Sequence, residues 1–372
     1  MTHTRLVAAS ALLAGALLAA TGCKKEEAPP PPATTAAPVQ VAAPTVKIES
    51  AKLALFKPLP AAFESPPDNP STPEKVELGR QLYWDARLSK NHDVSCNSCH
   101  MLDKYGVDNK PVSEGHRKQT GTRNSPTVYN AANHFVQFWD GRAANLEEQA
   151  KGPVLNPVEH GLKDEAALLA VINSIPEYVE AFGKAFPEDK PAVTFDNFAK
   201  AVAAFERTLI TPAPWDAFLK GDKNALTEDQ KKGFLAFMDA GCQTCHSGEH
   251  LGATMFQRLG SVKPWPDPPE GKEPDLGRYD VTKQDSDKMM FKVPGLRNVA
   301  KTAPYYHDGS VEDLGAAVQL MAEHQLGKTL SDENVRLIVA FLESLTGEPT
   351  AEQMREPQLP PSTDKTPKPD PT

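Results

Sequence analysis

Apolar residues recur at helical spacing through most of this chain, and no alternating apolar and polar run is long enough to build a sheet. The spacing predicts helices over about 142–151, 164–173, 195–208, 312–324 and 332–345, the last of which Gly347 can end. Two more amphipathic stripes, Gly79-Arg80-Gln81-Leu82-Tyr83-Trp84-Asp85 and Gly233-Phe234-Leu235-Ala236-Phe237-Met238-Asp239, stand at corresponding places in two halves of the sequence. The chain therefore reads as an all-α unit used twice, with a seam near Thr211-Pro212-Ala213-Pro214.

Each stripe leads to the same short motif, Cys96-Asn97-Ser98-Cys99-His100 in the first half and Cys242-Gln243-Thr244-Cys245-His246 in the second. CxxCH is the attachment spacing of haem c. Two thiols three positions apart add across the vinyl groups of one porphyrin, and the adjoining histidine falls beneath the iron as its proximal ligand. The blander uses of such pairs are a disulfide or half of a zinc site. A redox-active CxxC lies beside a βαβ pattern, which this sequence lacks. A zinc site would draw on two distant pairs and leave a histidine after each unexplained. The expected fold is all-α, with two cytochrome-c-like domains at 51–211 and 212–356, each with one covalently attached haem c.

Composition adds the surroundings. The 372 residues carry 40 basic and 49 acidic side chains, a net charge of −9 without a Lys/Arg-dense face, which argues against nucleic acid as a partner. The 35 prolines crowd into 29–44, 58–73, 264–274 and the tail 357–372, so globular sequence is expected between disordered ends. The fifth cysteine belongs to a separate pattern. Residues 1–22 hold one charge, Arg5, and an apolar run from Leu6 to Ala20 that is too short for a comfortable membrane span and reads as an export signal. Ala20-Thr21-Gly22-Cys23 resembles a bacterial lipobox with Ala20 in the usual leucine position, which makes Cys23 the expected lipidation site. Lys24 and Lys25 give no reason for retention at the inner membrane. Residues 23–50 then form an Ala/Pro-rich tether, and the protein is expected in the periplasm, lipid-anchored, with the outer membrane favoured.

The sixth ligands decide what two haems do, because an electron carrier keeps both axial positions filled whereas peroxide chemistry needs one that opens. For the second haem the spacing offers Met321, with Met289, Met290 and His324 competing and plain core packing as the ordinary role of such a methionine. The first half has no methionine in an equivalent place. His116, in the polar stretch Ser113-Glu114-Gly115-His116-Arg117-Lys118, where mobility is expected, competes there with His92, His134 and His160.

From about Leu78 to Pro361 the chain resembles the bacterial di-haem cytochrome c peroxidases. The likeness rests on Gly79-Arg80 and Leu88-Ser89 before the first haem site, Arg123-Asn124-Ser125-Pro126-Thr127, Gln137-Phe138-Trp139-Asp140-Gly141-Arg142, Gln149-Ala150-Lys151-Gly152-Pro153, Gly277-Arg278-Tyr279, Pro294-Gly295-Leu296-Arg297-Asn298-Val299 and Pro304-Tyr305-Tyr306-His307. The resemblance implies that His116 caps the peroxidatic haem and leaves when its neighbour is reduced, and that Met321 ligates the electron-transferring haem. It implies that Trp139 lies between the haems, a place compatible with core packing, and that Gln149 and Glu159 are the distal amide and acid. Glu159 would move the proton that heterolysis of peroxide requires, and Gln149 would orient the substrate. Without the resemblance Glu159 would read as a surface residue. A calcium ion held by the Asn124 side chain and the Thr302 and Pro304 carbonyls is implied too, and few carboxylates make such a site weak. Arg297 and the Tyr305 and His307 neighbourhood are placed near propionates or the haem interface.

The activity implied is reduction of hydrogen peroxide to water by a homodimer, with electrons from a small cytochrome c or cupredoxin entering at the His246/Met321 haem. Two rivals are weighed beside it. One is a tryptophylquinone-maturation oxidase, whose second haem carries tyrosine, for which Tyr305 or Tyr306 is available. The other is a non-catalytic di-haem electron carrier.

Overall fold

A computed structural model describes residues 46–268, 271 and 273–372. The signal segment 1–22, Cys23 and the tether up to residue 45 lie outside the described residues.

The duplication is visible as two copies of one helix pair. In the first half Pro73–Trp84 crosses Phe195–Glu206, and in the second Glu228–Ala240 crosses Asp332–Glu343. All four begin on a Thr or Ser that accepts a backbone N–H of the first turn: Thr72, Thr194, Thr227 and Ser331. Glycine makes both crossings possible. A Cβ on Gly79 would collide with the Ala201 carbonyl and sit 2.9 Å from Phe205 Cβ; on Gly233 it would collide with the Leu337 carbonyl and sit 2.9 Å from Phe341 Cβ.

Each pair carries its own hydrophobic core. The first runs from Leu78 to Leu209 and includes Tyr83, Tyr178, Phe182 and Phe198. The second gathers Trp215, Phe234, Phe237, Phe341 and Leu345. The expected helices are found at Leu146–Leu155, Glu165–Asn173 and Leu314–Leu326. Two unexpected ones, Pro176–Ala185 and Pro214–Leu219, each open on a proline in the first turn. A short antiparallel pair, Phe256–Arg258 with Met290–Lys292, is added to the all-helical expectation.

The seam is a crossing tied by side-chain amides. Asn130 Nδ2 and Asn298 Nδ2 both donate to Thr211 Oγ1, at 2.8 and 2.9 Å, and Asn298 Oδ1 accepts from Gly347 N. The ends of the chain depart from the domain limits read in the sequence. Residues near the start of the expected 51–211 domain pack on the second core, where the Phe56 ring meets Trp215 and Phe234 edge-on at 5.6 and 5.4 Å. The segment after the last helix returns to the first half, where Arg80 donates to the Glu352 carbonyl and Gln353 to the carbonyls of Thr208 and Ile210.

The tail 357–372 is not a free end. Thr363 Oγ1 donates to Ser174 O at 2.8 Å, Asp370 N to Lys90 O at 2.9 Å, and Thr366 is buried. Backbone and hydroxyl hydrogen bonds hold this stretch in place of an apolar stripe, so hydropathy gives no sign of them. Among the described residues no helix is long and apolar enough to cross a membrane.

Candidate functional site

Both CxxCH histidines are prepared as ligands. His100 Nδ1 faces the Gly106 carbonyl at 3.3 Å and His246 Nδ1 the Leu251 carbonyl at 2.9 Å. A carbonyl there holds the proton on Nδ1, which leaves Nε2 with its lone pair for a metal. Burial lowers the pKa of both rings and favours the neutral form that ligation needs. Burial pushes the Cys99 and Cys242 thiols up to about 11, an environment that suits thioethers and disfavours the thiolates a zinc site requires. Among the described residues no group of three or more His, Cys, Asp or Glu side chains is placed to hold a metal ion.

Around the second motif lies a cavity lined by Cys242, Cys245, His246 and Met321. Of the methionines among the described residues, Met321 is the one on its wall. His324 turns Nδ1 to the Pro264 carbonyl at 2.6 Å and stacks edge-on against Trp265, away from that wall. Tyr305 and Tyr306 both border the cavity, but the Tyr306 hydroxyl donates to Ala317 O at 2.6 Å and burial raises its pKa, which disfavours a tyrosinate ligand there.

The first half supplies part of the same wall. Trp139 and the segment Asn124-Ser125-Pro126-Thr127 face the cavity, and Trp139 Nε1 donates to Asn124 O at 3.0 Å. The three expected calcium residues, Asn124, Thr302 and Pro304, border this one space. Asn124 spends its amide nitrogen on the Lys110 and Pro111 carbonyls, which leaves Oδ1 as its available oxygen. Arg297, in contrast, is occupied: its guanidinium pairs in a two-pronged bond with buried Asp216, at 2.7 and 2.9 Å, and donates to Glu249 O.

Of the residues expected above the first haem, His116 lies against the loop that carries Glu159. His116 is 4% exposed, contrary to the expectation of a mobile, solvated stretch, and both its ring nitrogens are buried with no partner among the described residues. Its backbone N donates to Glu159 O at 2.7 Å, and Gly161, at a φ of +76°, lets the ring lie so close that a Cβ there would come within 3.0 Å of Cγ. An imidazole buried with two unsatisfied nitrogens is costly unless a ligand meets it, so this residue fits the sixth position of a haem. The competing His160 turns Nδ1 to Leu88 O, while His134 faces Lys292. Glu159 accepts from Asn156 Nδ2 at 2.7 Å; burial raises its pKa, opposed by Arg142 and that hydrogen bond. Gln149 is half-buried on Leu146–Leu155.

Residues 73–224 match the family described as di-haem cytochrome c peroxidase. The chain is 49% identical over 317 residues to the cytochrome c551 peroxidase of Pseudomonas aeruginosa, covering 85% of this chain and 90% of that one. It is 44% identical over 300 residues to the cytochrome c551 peroxidase of Nitrosomonas europaea, covering 80% and 87%. A solved structure of a MauG-like protein associated with microbial copper homeostasis superposes with a TM-score of 0.71 at 27% identity, covering 80% of this chain and 98% of that one. This chain belongs to the di-haem cytochrome c peroxidase family, and its cofactors are haems c.

Proposed function

We propose that this protein is a periplasmic di-haem peroxidase that reduces hydrogen peroxide to water with electrons from a small cytochrome c or cupredoxin. The observation that carries the reading is the inequality of the two halves. One holds a buried histidine whose ring nitrogens have no partner among the described residues, beside a carboxyl of raised pKa, and in the other a methionine and the CxxCH histidine line one cavity. The haem attached at Cys96 and Cys99 would supply the redox chemistry on peroxide.

The chain's own residues then have distinct work. His100 and His246 would hold the two irons, with Met321 as the further ligand of the His246 haem and His116 as the releasable ligand of the His100 haem. Glu159 accepts a proton from bound peroxide and returns it to the departing oxygen, a transfer its burial favours by bringing its pKa toward the working range. Gln149 orients the substrate, and Trp139 bridges the two sites. Asn124, Thr302 and Pro304 hold calcium where the halves meet, and the working form is a homodimer. Lipid at Cys23 tethers the enzyme at the membrane through residues 23–50.

The test is to reduce the protein by one electron, add peroxide and follow oxidation of a reduced cytochrome c. Rapid oxidation is expected; an unchanged spectrum would indicate a carrier, and peroxide loss without donor oxidation a protein-directed oxidase. His116→Gly is expected to turn over without prior reduction, with the lag before donor oxidation as the measure.

A further inference from the structure

Two buried cations border the cavity beside His246, and they are not treated alike. Arg297 has Asp216 as a dedicated counter-charge. Lys292 is 5% exposed at the end of the short strand Met290–Lys292, and among the described residues no carboxylate pairs with it. Its ammonium nitrogen reaches one side chain, His134 Nδ1, at 3.3 Å. Asp140, whose charge is felt at Lys292, is already shared between Arg123 and Arg142. His134 brings no negative charge, since burial, Lys292 and His250 all hold it neutral, and the His250 ring packs against it edge-on at 4.9 Å.

A buried ammonium without an anion is strongly disfavoured, so a chain that keeps one on a cavity wall has an anion to meet it. The cavity is the one into which His246, Cys242 and Cys245 project. A porphyrin held there brings two carboxylates of its own. We propose that Lys292, oriented by His134, is the counter-ion of a propionate of the haem attached at Cys242 and Cys245. The Lys292 backbone N also donates to Trp139 O at 2.8 Å, so the same residue ties that propionate to the tryptophan between the halves. Lys292 is a positioning residue: it fixes the macrocycle edge and lends a positive charge that favours the reduced state of this haem.

This inference rests on the di-haem reading, and its test is separable from it. Haem count and peroxide-driven donor oxidation of the wild type judge that reading. The holoprotein of K292M is compared with wild type by redox titration of the methionine-ligated haem, and by reduced-minus-oxidised infrared spectra with the propionate carboxyls carbon-13 labelled. The expected result is a reduction equilibrium about tenfold less favourable, about 59 mV for one electron, together with displaced propionate carboxylate bands. Unmoved bands, whatever the potential does, overturn the proposal, and so does an unmoved potential. Should K292M fail to assemble, K292R decides: the midpoint must stay near wild type while the labelled bands move, and static bands overturn the assignment.

Discussion

The two halves are built on the same crossing and differ where the haems go. Gly79 lies under Ala201 and Phe205 as Gly233 lies under Leu337 and Phe341, so position 206 in one half corresponds to 342 in the other. The first places a buried glutamate, Glu206, where the second has Leu342, a residue on the wall of the Met321 cavity. The proposed function draws the same contrast on the far side of each haem, with His116 and Glu159 in one half and Met321 in the other. Packing residues are repeated because both halves need the same helix contact; the two carboxyls whose pKa burial raises, Glu159 and Glu206, belong to the first. On the proposed function, the duplicated scaffold separates storage of an electron from chemistry on an oxidant.

The sharpest way to break this comparison is Glu159→Gln. Steady-state turnover with peroxide is expected to fall by about 10²–10⁴-fold, the usual worth of a positioned acid–base group, while electron uptake by the second haem is unchanged. Because burial raises the Glu159 pKa, its base form is lost at a higher pH than for an ordinary carboxylate. Wild-type kcat/KM should therefore decline on the acid side earlier than expected for a solvated glutamate, and the limb should vanish in the variant. Gly79→Ala and Gly233→Ala test the repeated part. Each forces a Cβ into a backbone carbonyl and is expected to destabilise by about 1–3 kcal/mol or more, read as a lowered thermal midpoint in both; tolerance of either would show that the crossings are not equivalent.

Much of this was legible in the sequence, for local reasons. CxxCH spacing and helical periodicity are contained in a few neighbouring residues, so the haem sites and most helices could be placed before any coordinates. The helices at Pro176 and Pro214 were missed because a proline reads as a breaker, although in the first turn its absent N–H costs nothing. The burial of His116 was hidden because it arises from Gly161 and the Glu159 backbone, tens of residues away, under a polar local sequence. Lys292 drew no attention, yet a lone basic residue within Met289-Met290-Phe291-Lys292-Val293-Pro294 was a signal for a buried charge. The crossing of the chain ends could not be read, since Phe56 and Gln353 find partners more than a hundred residues away.

A smaller effect separates the halves by pH. Burial lifts Glu206 to about 8, with Arg207 opposing and Glu147 adding to the rise, from an ordinary value near 4.5. The folded state thus keeps this proton while the unfolded chain releases it, so the contribution to stability is complete below pH 4.5 and is lost as pH climbs to about 8. Glu206→Gln should remove a loss on the order of a few kcal/mol at pH 8, seen as a flatter dependence of the thermal midpoint on pH. Leu342→Val, at the matching position, should change stability without changing that slope.

The gentlest probe concerns the returning chain end. Gln353 Nε2 donates to two carbonyls at the close of the first core, Thr208 and Ile210, both at 2.9 Å, and is 8% exposed. Gln353→Ala leaves those carbonyls short of a donor and should cost about 1–2 kcal/mol in denaturant unfolding. Gln353→Glu has to be worse, because its carboxylate would face carbonyl oxygens that it cannot satisfy while charged. If both substitutions were silent, the Thr208 and Ile210 carbonyls would not depend on Gln353, and the hold on the returning segment would fall to Arg80 on Glu352 and Thr363 on Ser174.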